Sequence, residues 1–385
     1  MKNENDYIVF GSPCIEQPEI DEIVHSLKSG WIGTGPKVAQ FEKQFAEHQG
    51  MPYAIAVNSC TAALFLSMKV LGIGPGDEVI TTPLTFCATV NAIIHTGATP
   101  VLADIDPLTM NISPSAVESC ITSRTKAILP VHFAGRSCDM NVLCALTKKH
   151  NLFLVEDCAH AIETRHKGKN AGSFGVLGCF SFYVTKNITT AEGGMILTRD
   201  KTLAERLKIL ALHGMSHDAW KRFSDDGYKH YLVVEPGYKF NMIDLQACLG
   251  IHQLQRIKKY HHQRRVLWER YMEAFADLPV QLPAEILPVE THAYHLFTLL
   301  IDEKNARISR DQFMLELHKR GIGSGVHYMS IPEHPFYHDQ YGWDPDAYPN
   351  AKRVGRQTVS LPFSPNLSND QVLRVINSVR EIIFK

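Results

Sequence analysis

No run in this 385-residue chain stays apolar for the roughly 18 residues that a membrane-crossing helix needs. Neither sign of charge dominates: 39 Lys and Arg stand against 40 Asp and Glu, which leaves no net field to draw nucleic acid or an anionic surface. The nine cysteines include no C-x-x-C pair and are odd in number, so they are expected to be mostly reduced core thiols of a cytoplasmic protein. The 19 histidines form no H-E-x-x-H and no Cys/His cluster of zinc type, and no metal is expected. Absent too are G-x-G-x-x-G and G-x-x-x-x-G-K-[ST], which disfavours a dinucleotide-binding dehydrogenase and a P-loop enzyme. The start, Met1-Lys2-Asn3-Glu4-Asn5-Asp6, is polar and carries acids, unlike a signal peptide.

What is present is core material. A chain of this length with 45% hydrophobic residues can fill two domains. Ile20, Ile23, Val24 and Leu27 recur at helical spacing, and Gly30 stops that helix. After the turn 31–36 a second helix carries Val38, Phe41 and Phe45 on one face. From 53 to about 198, short apolar runs (53–57, 78–82, 100–103, 127–131, 153–156, 179–184, 195–198) alternate with helical patterns (61–71, 87–95, 113–120, 140–150). Such alternation predicts an α/β fold with a mainly parallel sheet covered on both faces. Residues 242–275 are expected to be long helical structure that bridges to a smaller α/β unit. That unit has a strand at 295–301 and helices at 309–320 and 368–383. The division expected is a large domain over 1–255 and a small one over 256–385.

Ligands of parallel sheets bind beyond the carboxyl ends of strands, and several reactive groups fall there. Lys186 follows the apolar run of Ser181-Phe182-Tyr183-Val184-Thr185-Lys186-Asn187, with Thr190-Ala191-Glu192-Gly193-Gly194 close behind. A buried amine loses part of its proton affinity and becomes a nucleophile towards carbonyls. Asp157 closes the strand of Val155-Glu156-Asp157-Cys158-Ala159-His160. A lysine and an acid at neighbouring strand ends suit pyridoxal phosphate: the lysine for its aldehyde, the acid for its ring nitrogen. In Asn58-Ser59-Cys60-Thr61-Ala62-Ala63 a strand passes into a helix. The Cys60 and Thr61 amides with the Thr61 hydroxyl would suit a phosphate there. Phe86, also past a strand, can lie on a planar ring. His160 can project towards the ring oxygen or a bound water, Ser181 towards the phosphate, and Asn241 towards an anion or amide.

With these stretches in view, the chain resembles the DegT-type nucleotide-sugar aminotransferases, PLP enzymes of fold type I. The likeness runs over roughly residues 8 to 384. It is carried by 29–36, 58–63, Gly74-Pro75-Gly76-Asp77-Glu78-Val79-Ile80, Glu156-Asp157-Cys158-Ala159-His160-Ala161, 181–187 and Gly237-Tyr238-Lys239-Phe240-Asn241-Met242. Within that family it is most similar to enzymes that aminate C4 of UDP-4-keto sugars, of the UDP-4-amino-4-deoxy-L-arabinose aminotransferase type. The echoes are Lys186-Asn187-Ile188-Thr189, His292-Ala293-Tyr294-His295-Leu296-Phe297 and 321–328. That subgroup often has Trp where this chain has Phe86.

The resemblance implies that Lys186 is the Schiff-base lysine and proton shuttle, that Asp157 pairs with the pyridinium and that Phe86 stacks on the ring. It implies further that Cys60, Thr61 and Ser181 hold the phosphate, with His160 near the ring. Asn241 would reach the phosphate of a neighbouring subunit, making the enzyme a homodimer with shared sites. Thr34 and His327 would lie on the sugar-nucleotide side. The implied amino donor is L-glutamate, whose carboxylates need basic partners, and Arg136, Lys221 and Arg222 are available. The segment 213–222 is a further nucleotide contact to consider. Members with His at the lysine position act as dehydratases, and this chain has Lys. The competing readings are a 3-keto-sugar aminotransferase, a PLP-dependent sugar dehydratase and a non-catalytic PLP-binding regulator. Lipopolysaccharide, capsule, glycan and antibiotic sugars are all open as products.

Overall fold

The computed structural model describes residues 7–216 and 231–384. Two helices open it, α1 (Gln17–Ser29) and α2 (Pro36–Gln49). The alternating part follows as β1 (Tyr53–Val57), α3 (Cys60–Val70), β2 (Glu78–Thr81), α4 (Cys87–His95), β3 (Thr99–Leu102), α5 (Pro114–Cys120), β4 (Thr125–Leu129), α6 (Met140–His150) and β5 (Phe153–Asp157). A short hairpin, β6 (Arg165–His166) and β7 (Lys169–Asn170), precedes β8 (Leu177–Ser181), β9 (Gly194–Thr198) and α7 (Lys201–Ala211). Helical residues 244–274 are two helices, α8 (Asp244–Gln255) and α9 (Ile257–Ala274), broken at Arg256, rather than one long rod. Beyond them lie β10 (Glu290–Thr291), β11 (Thr298–Leu300), α10 (Glu303–Ala306), α11 (Arg310–Lys319), α12 (Pro335–Tyr341), α13 (Pro349–Gln357), β12 (Thr358–Ser360) and α14 (Asn369–Ile383).

The main sheet has seven strands in the order β1-β9-β8-β5-β4-β2-β3. All pairings are parallel except those of β9, which runs against both β1 and β8. This mixed, mostly parallel sheet is the architecture that the resemblance implies. One antiparallel strand matters for the site: the start of β9 comes to the same edge as the carboxyl ends of its neighbours. Gly194 begins it, and a Cβ there would lie 2.5 Å from the Ser59 carbonyl oxygen, so glycine permits the close approach to the start of α3.

The strands are buried on both faces, which is why they are continuous apolar runs rather than alternating ones. Ile55, Leu64, Leu66, Met68, Val79, Ile93 and Leu129 fill one side. Phe41, Phe45, Phe180 and Phe182 pack edge-on or tilted across the other, with ring centroids 5.1–6.1 Å apart. The C-terminal unit has its own core around Trp268, Tyr271, Phe275, Phe297 and Phe313, laid against the antiparallel pair β11 and β12. Ile8 belongs to that second core and bridges to Ile322, so the segment before α1 packs there on the C-terminal unit.

One boundary needs correction, and one helical face is unusual. The helix expected before Gly30 is present, but its Ile20, Val24 and Leu27 are exposed, while Glu19 and Ser26 are buried. Glu19 is drawn in because Arg256 and Gln253 bind its carboxylate. The strand before Lys186 ends at Ser181, not at Val184. Beyond it Phe182 bonds to Gly193 and Thr190, and the Lys186 amide donates to the Tyr183 carbonyl at 2.9 Å, closing a turn.

Candidate active site

At the common strand edge lies a cavity of about 500 Å³. Cys60, Thr61, Phe86, Asp157, His160, Ser181, Lys186 and His327 all line it, with Thr89, Glu192, His295 and Tyr328. Its volume suits a cofactor together with part of a substrate.

The floor comes from β5. Asp157 is buried, its Oδ1 accepting the Ala159 amide at 3.0 Å and its Oδ2 the Thr89 hydroxyl at 2.9 Å. Burial pushes its carboxyl up, against the pull of those two bonds, Lys186 and His132. A cationic ring nitrogen opposite would favour the carboxylate further. Behind it Glu156 is saturated by the amides of Gly172, Phe174 and Gly175 and by His132 Nε2 at 3.1 Å. His132, Glu156 and Cys158 are close enough to hold a metal ion, but the carboxylate oxygens are already occupied in fixing the 172–175 loop.

Lys186 projects from the turn after β8 into the cavity. Burial pushes its amine down to about 8 from 10.5, while the nearby Asp157 acts in the other direction. A free amine fraction near neutral pH is what a nucleophile and proton carrier requires.

One wall is the start of α3. The Ser59 hydroxyl caps the Ala62 amide at 3.1 Å, and Ala63 bonds to the Ser59 carbonyl. The Cys60 and Thr61 amides precede the first intrahelical bond and point outward, an anion cradle at the positive helix end. Ser181, at the end of β8, faces the same space.

Across the cavity, Phe86 is the residue before α4 and is 58% exposed, with its ring 6.0 Å from that of Tyr328. His160 has a determined tautomer. Its Nδ1 accepts the Ala134 amide at 3.2 Å, so in the neutral ring Nε2 carries the hydrogen and donates to the Tyr328 oxygen at 3.1 Å. Burial holds the ring well below the usual histidine range, hence neutral. The phenolic hydrogen of Tyr328 is thereby left for a ligand. His327 stacks on Phe10 at 5.2 Å and bonds through Nδ1 to the Ser360 hydroxyl at 2.8 Å; burial, then Lys186, lower it to about 4.

Thr34 and Asn241 stand elsewhere. They line a second cavity of about 430 Å³ with Trp31, Glu42, Lys208 and Met215. Asn241 Nδ2 donates to the Thr34 hydroxyl, which donates to the Met242 carbonyl, each at 2.5 Å; Asn241 Oδ1 is buried without a partner. Asp244 fixes this turn by accepting the amides of Gly35, Lys37 and Val38.

Arg136 is not available to a donor carboxylate. It is buried away from the Lys186 cavity, bound to the Ala284 and Glu285 carbonyls and paired with Glu290 at 3.0 Å. Lys221 and Arg222, and residues 217–222 of the segment 213–222, lie outside the described residues. Thr89, His295 and Tyr328 were not singled out from the sequence. The last two sit inside stretches that carried the family likeness, 292–297 and 321–328. Thr89 has no signal beyond its place in the first turn of a helix after a strand.

The cavity's donor set fits pyridoxal phosphate: an amine, a buried acid and an open helix start converge on one space. Comparisons with known proteins agree. The model of the DegT/DnrJ/EryC1/StrS aminotransferase family matches residues 13–380. The spore coat polysaccharide biosynthesis protein SpsC of Bacillus subtilis is 48% identical over 384 residues, covering 100% of this chain and 99% of that protein. Among solved structures, the PLP-form of Spr1654 from Streptococcus pneumoniae superposes with a TM-score of 0.91 at 33% identity, over 98% of this chain and 99% of that one. PseC of Helicobacter pylori, an aminotransferase involved in the biosynthesis of pseudoaminic acid, gives 0.91 at 30% identity over the same shares. On the fold, the site and an almost end-to-end match, the chain belongs to the DegT/DnrJ/EryC1/StrS aminotransferase family.

Proposed function

We propose that the protein moves an amino group from L-glutamate to the C4 keto group of a UDP-linked deoxy sugar. It is a PLP-dependent sugar aminotransferase; the donor, the nucleotide and the carbon aminated are the reading advanced here. The observation that carries the chemistry is the meeting of Lys186, Asp157 and the start of α3 in one cavity. The names of SpsC and PseC attach those proteins to spore coat polysaccharide and pseudoaminic acid biosynthesis, which supports a sugar acceptor here.

Pyridoxal phosphate, when bound, supplies an electron sink for charge developing at the substrate carbon. The Cys60 and Thr61 amides, with the Thr61 and Ser181 hydroxyls, would hold its phosphate. Asp157 would pair with the ring nitrogen, and Phe86 would cover one face of the ring. Lys186 would carry the covalent link at rest, then act as base and acid, moving one proton at its amine nitrogen in each half-reaction. Donor and keto sugar would occupy the cavity in turn. His327 and the Tyr328 hydroxyl stand on the side open to the sugar. Lysine at position 186, where related dehydratases have histidine, favours amine transfer over dehydration.

The active form we propose is a homodimer. Thr34 and Asn241 lie outside their own chain's Lys186 cavity, and Asn241 Oδ1 lacks a partner. Ile20, Val24, Leu27, Trp31 and Ile32 are exposed apolar side chains that lead up to Thr34 in the chain. Among the described residues no helix is long and apolar enough to cross a membrane, in keeping with a cytoplasmic enzyme.

The test is incubation with PLP, L-glutamate and a panel of nucleotide-linked keto sugars, read by mass spectrometry and NMR. A UDP-4-amino sugar with matching 2-oxoglutarate is expected. Amination of 3-keto sugars alone would refute the C4 reading, and loss of water without nitrogen transfer would make the enzyme a dehydratase.

A further inference from the structure

Asn187, directly after Lys186, is held unusually firmly. Its Nδ2 donates to two acceptors, Glu163 Oε2 at 2.8 Å and the Ala293 carbonyl at 2.7 Å. Its carbonyl receives Arg264 Nη2 at 3.4 Å. Because both amide hydrogens are spent, Oδ1 must face the remaining neighbour, His295 Nδ1, at 3.0 Å. An acceptor there requires that Nδ1 carry the imidazole hydrogen.

His295 is buried, sits with its ring centroid 4.3 Å from that of His160, and lines the same cavity as Lys186. Burial, with the nearby His160, Lys186, Arg264 and His327, keeps it well below the usual histidine range and therefore neutral. A neutral ring with Nδ1–H has a bare lone pair on Nε2. Among the described residues no group bonds to that nitrogen, and it is not among the sealed polar atoms without partners. It is open to the cavity as a hydrogen-bond acceptor.

Glu163 gives this arrangement its direction. A flipped Asn187 amide would set oxygen against the Glu163 carboxylate and the Ala293 carbonyl, and would turn His295 into an Nε2–H donor. Burial pushes the Glu163 carboxyl up to about 7, against the pull of Arg264 and the Asn187 hydrogen bond, so above that pH it is an acceptor-only carboxylate; its Oε1 and Arg264 Nη1 are both buried without partners. We propose that Glu163 is a positioning residue for the transamination site: through Asn187 it fixes the His295 tautomer, so that the wall beside Lys186 offers an acceptor to a ligand N–H or O–H. The inference rests on Lys186 being the reactive amine. The expected recognition is of a hydroxyl or ammonium group, never of an unprotonated oxygen.

The test reads the tautomer directly. Full-length protein labelled with ¹⁵N-histidine is examined by long-range ¹H–¹⁵N NMR, with His295→Gln assigning the signal. Wild type is expected to show a pyrrole-type Nδ1 and a pyridine-type Nε2. Glu163→Gln, whose amide oxygen still accepts from Asn187, should retain that pattern and most of kcat. Glu163→Ala and Glu163→Leu, two variants chosen so that one poorly folding protein does not decide the matter, should mix the tautomers and lower kcat about tenfold, the worth of one hydrogen bond to a charged group. A hydrogen on Nε2 in wild type overturns the proposal. So does an unchanged tautomer in a folded Glu163→Ala or Glu163→Leu protein. Lys186→Ala should leave the tautomer as it is, so failure of the transamination reading and failure of this one are separable.

Discussion

The cavity around Lys186 and the cavity around Asn241 are similar in size, about 500 and 430 Å³, and are walled differently. In the first, Asp157, His160 and His327 all have partners of fixed identity within their own chain, and what is left open is a defined set of donors and acceptors. The second leaves Asn241 Oδ1 without a partner and lies near apolar side chains in water. In the homodimer proposed above, a second copy would complete the unfinished wall. The contrast also separates the substitutions that should abolish chemistry from those that should disperse the assembly.

The sharpest break in that contrast is Lys186→Ala. Loss of the amine removes both the covalent anchor and the proton carrier, so turnover should fall at least about 10³-fold. The absorbance of lysine-bound cofactor should vanish, while sedimentation stays that of wild type. A normal rate would end the proposed role of Lys186 outright.

Next in size is the proposed interface. Burying a valine or leucine is worth about 1.5–3 kcal/mol, and an aspartate in its place adds an uncompensated charge. Val24→Asp with Leu27→Asp should therefore weaken self-association by about 10² or more, measured by analytical ultracentrifugation. Activity should then depend on enzyme concentration, and the Lys186 absorbance band should remain. A double variant that sediments like wild type would remove α1 from the interface.

The same division marks how much was legible in the sequence. The alternating region was readable because its strands are sealed on both faces, so each is a short apolar run bounded by turn residues. The residues at the strand ends, Cys60, Thr61, Phe86, Asp157, Ser181 and Lys186, followed from that, since a parallel sheet gathers them on one edge. Less was visible where long-range partners decide. The helical spacing of Ile20, Val24 and Leu27 was plain, but the pattern does not say which body the face packs on, and Glu19 is buried only because Arg256 reaches it from over two hundred residues away. Arg136 looked free as a loop cation and is consumed by Glu290 and two carbonyls. His295 and Tyr328 become site residues only when the C-terminal unit closes against the sheet.

The smallest predicted effect probes the finished wall itself. With its amine lowered to about 8, Lys186 is mostly ammonium below that pH and mostly free amine above it. The rate at which apoprotein captures pyridoxal phosphate, followed by absorbance, should therefore climb about tenfold per pH unit up to about 8 and then level. A surface lysine would keep climbing towards its ordinary 10.5. Stability has a matching sign. Between about 8 and 10.5 the unfolded chain holds a proton that the folded one has released, so this group makes the apoprotein more stable as pH rises across that window. The Asp157 carboxylate works against burial by raising the amine, so Asp157→Asn should move the capture midpoint below that of wild type. A midpoint that stays put in Asp157→Asn would mean that the two groups do not face each other across the cavity, and the self-complementary wall that distinguishes this cavity from the one at Asn241 would lose its central pair.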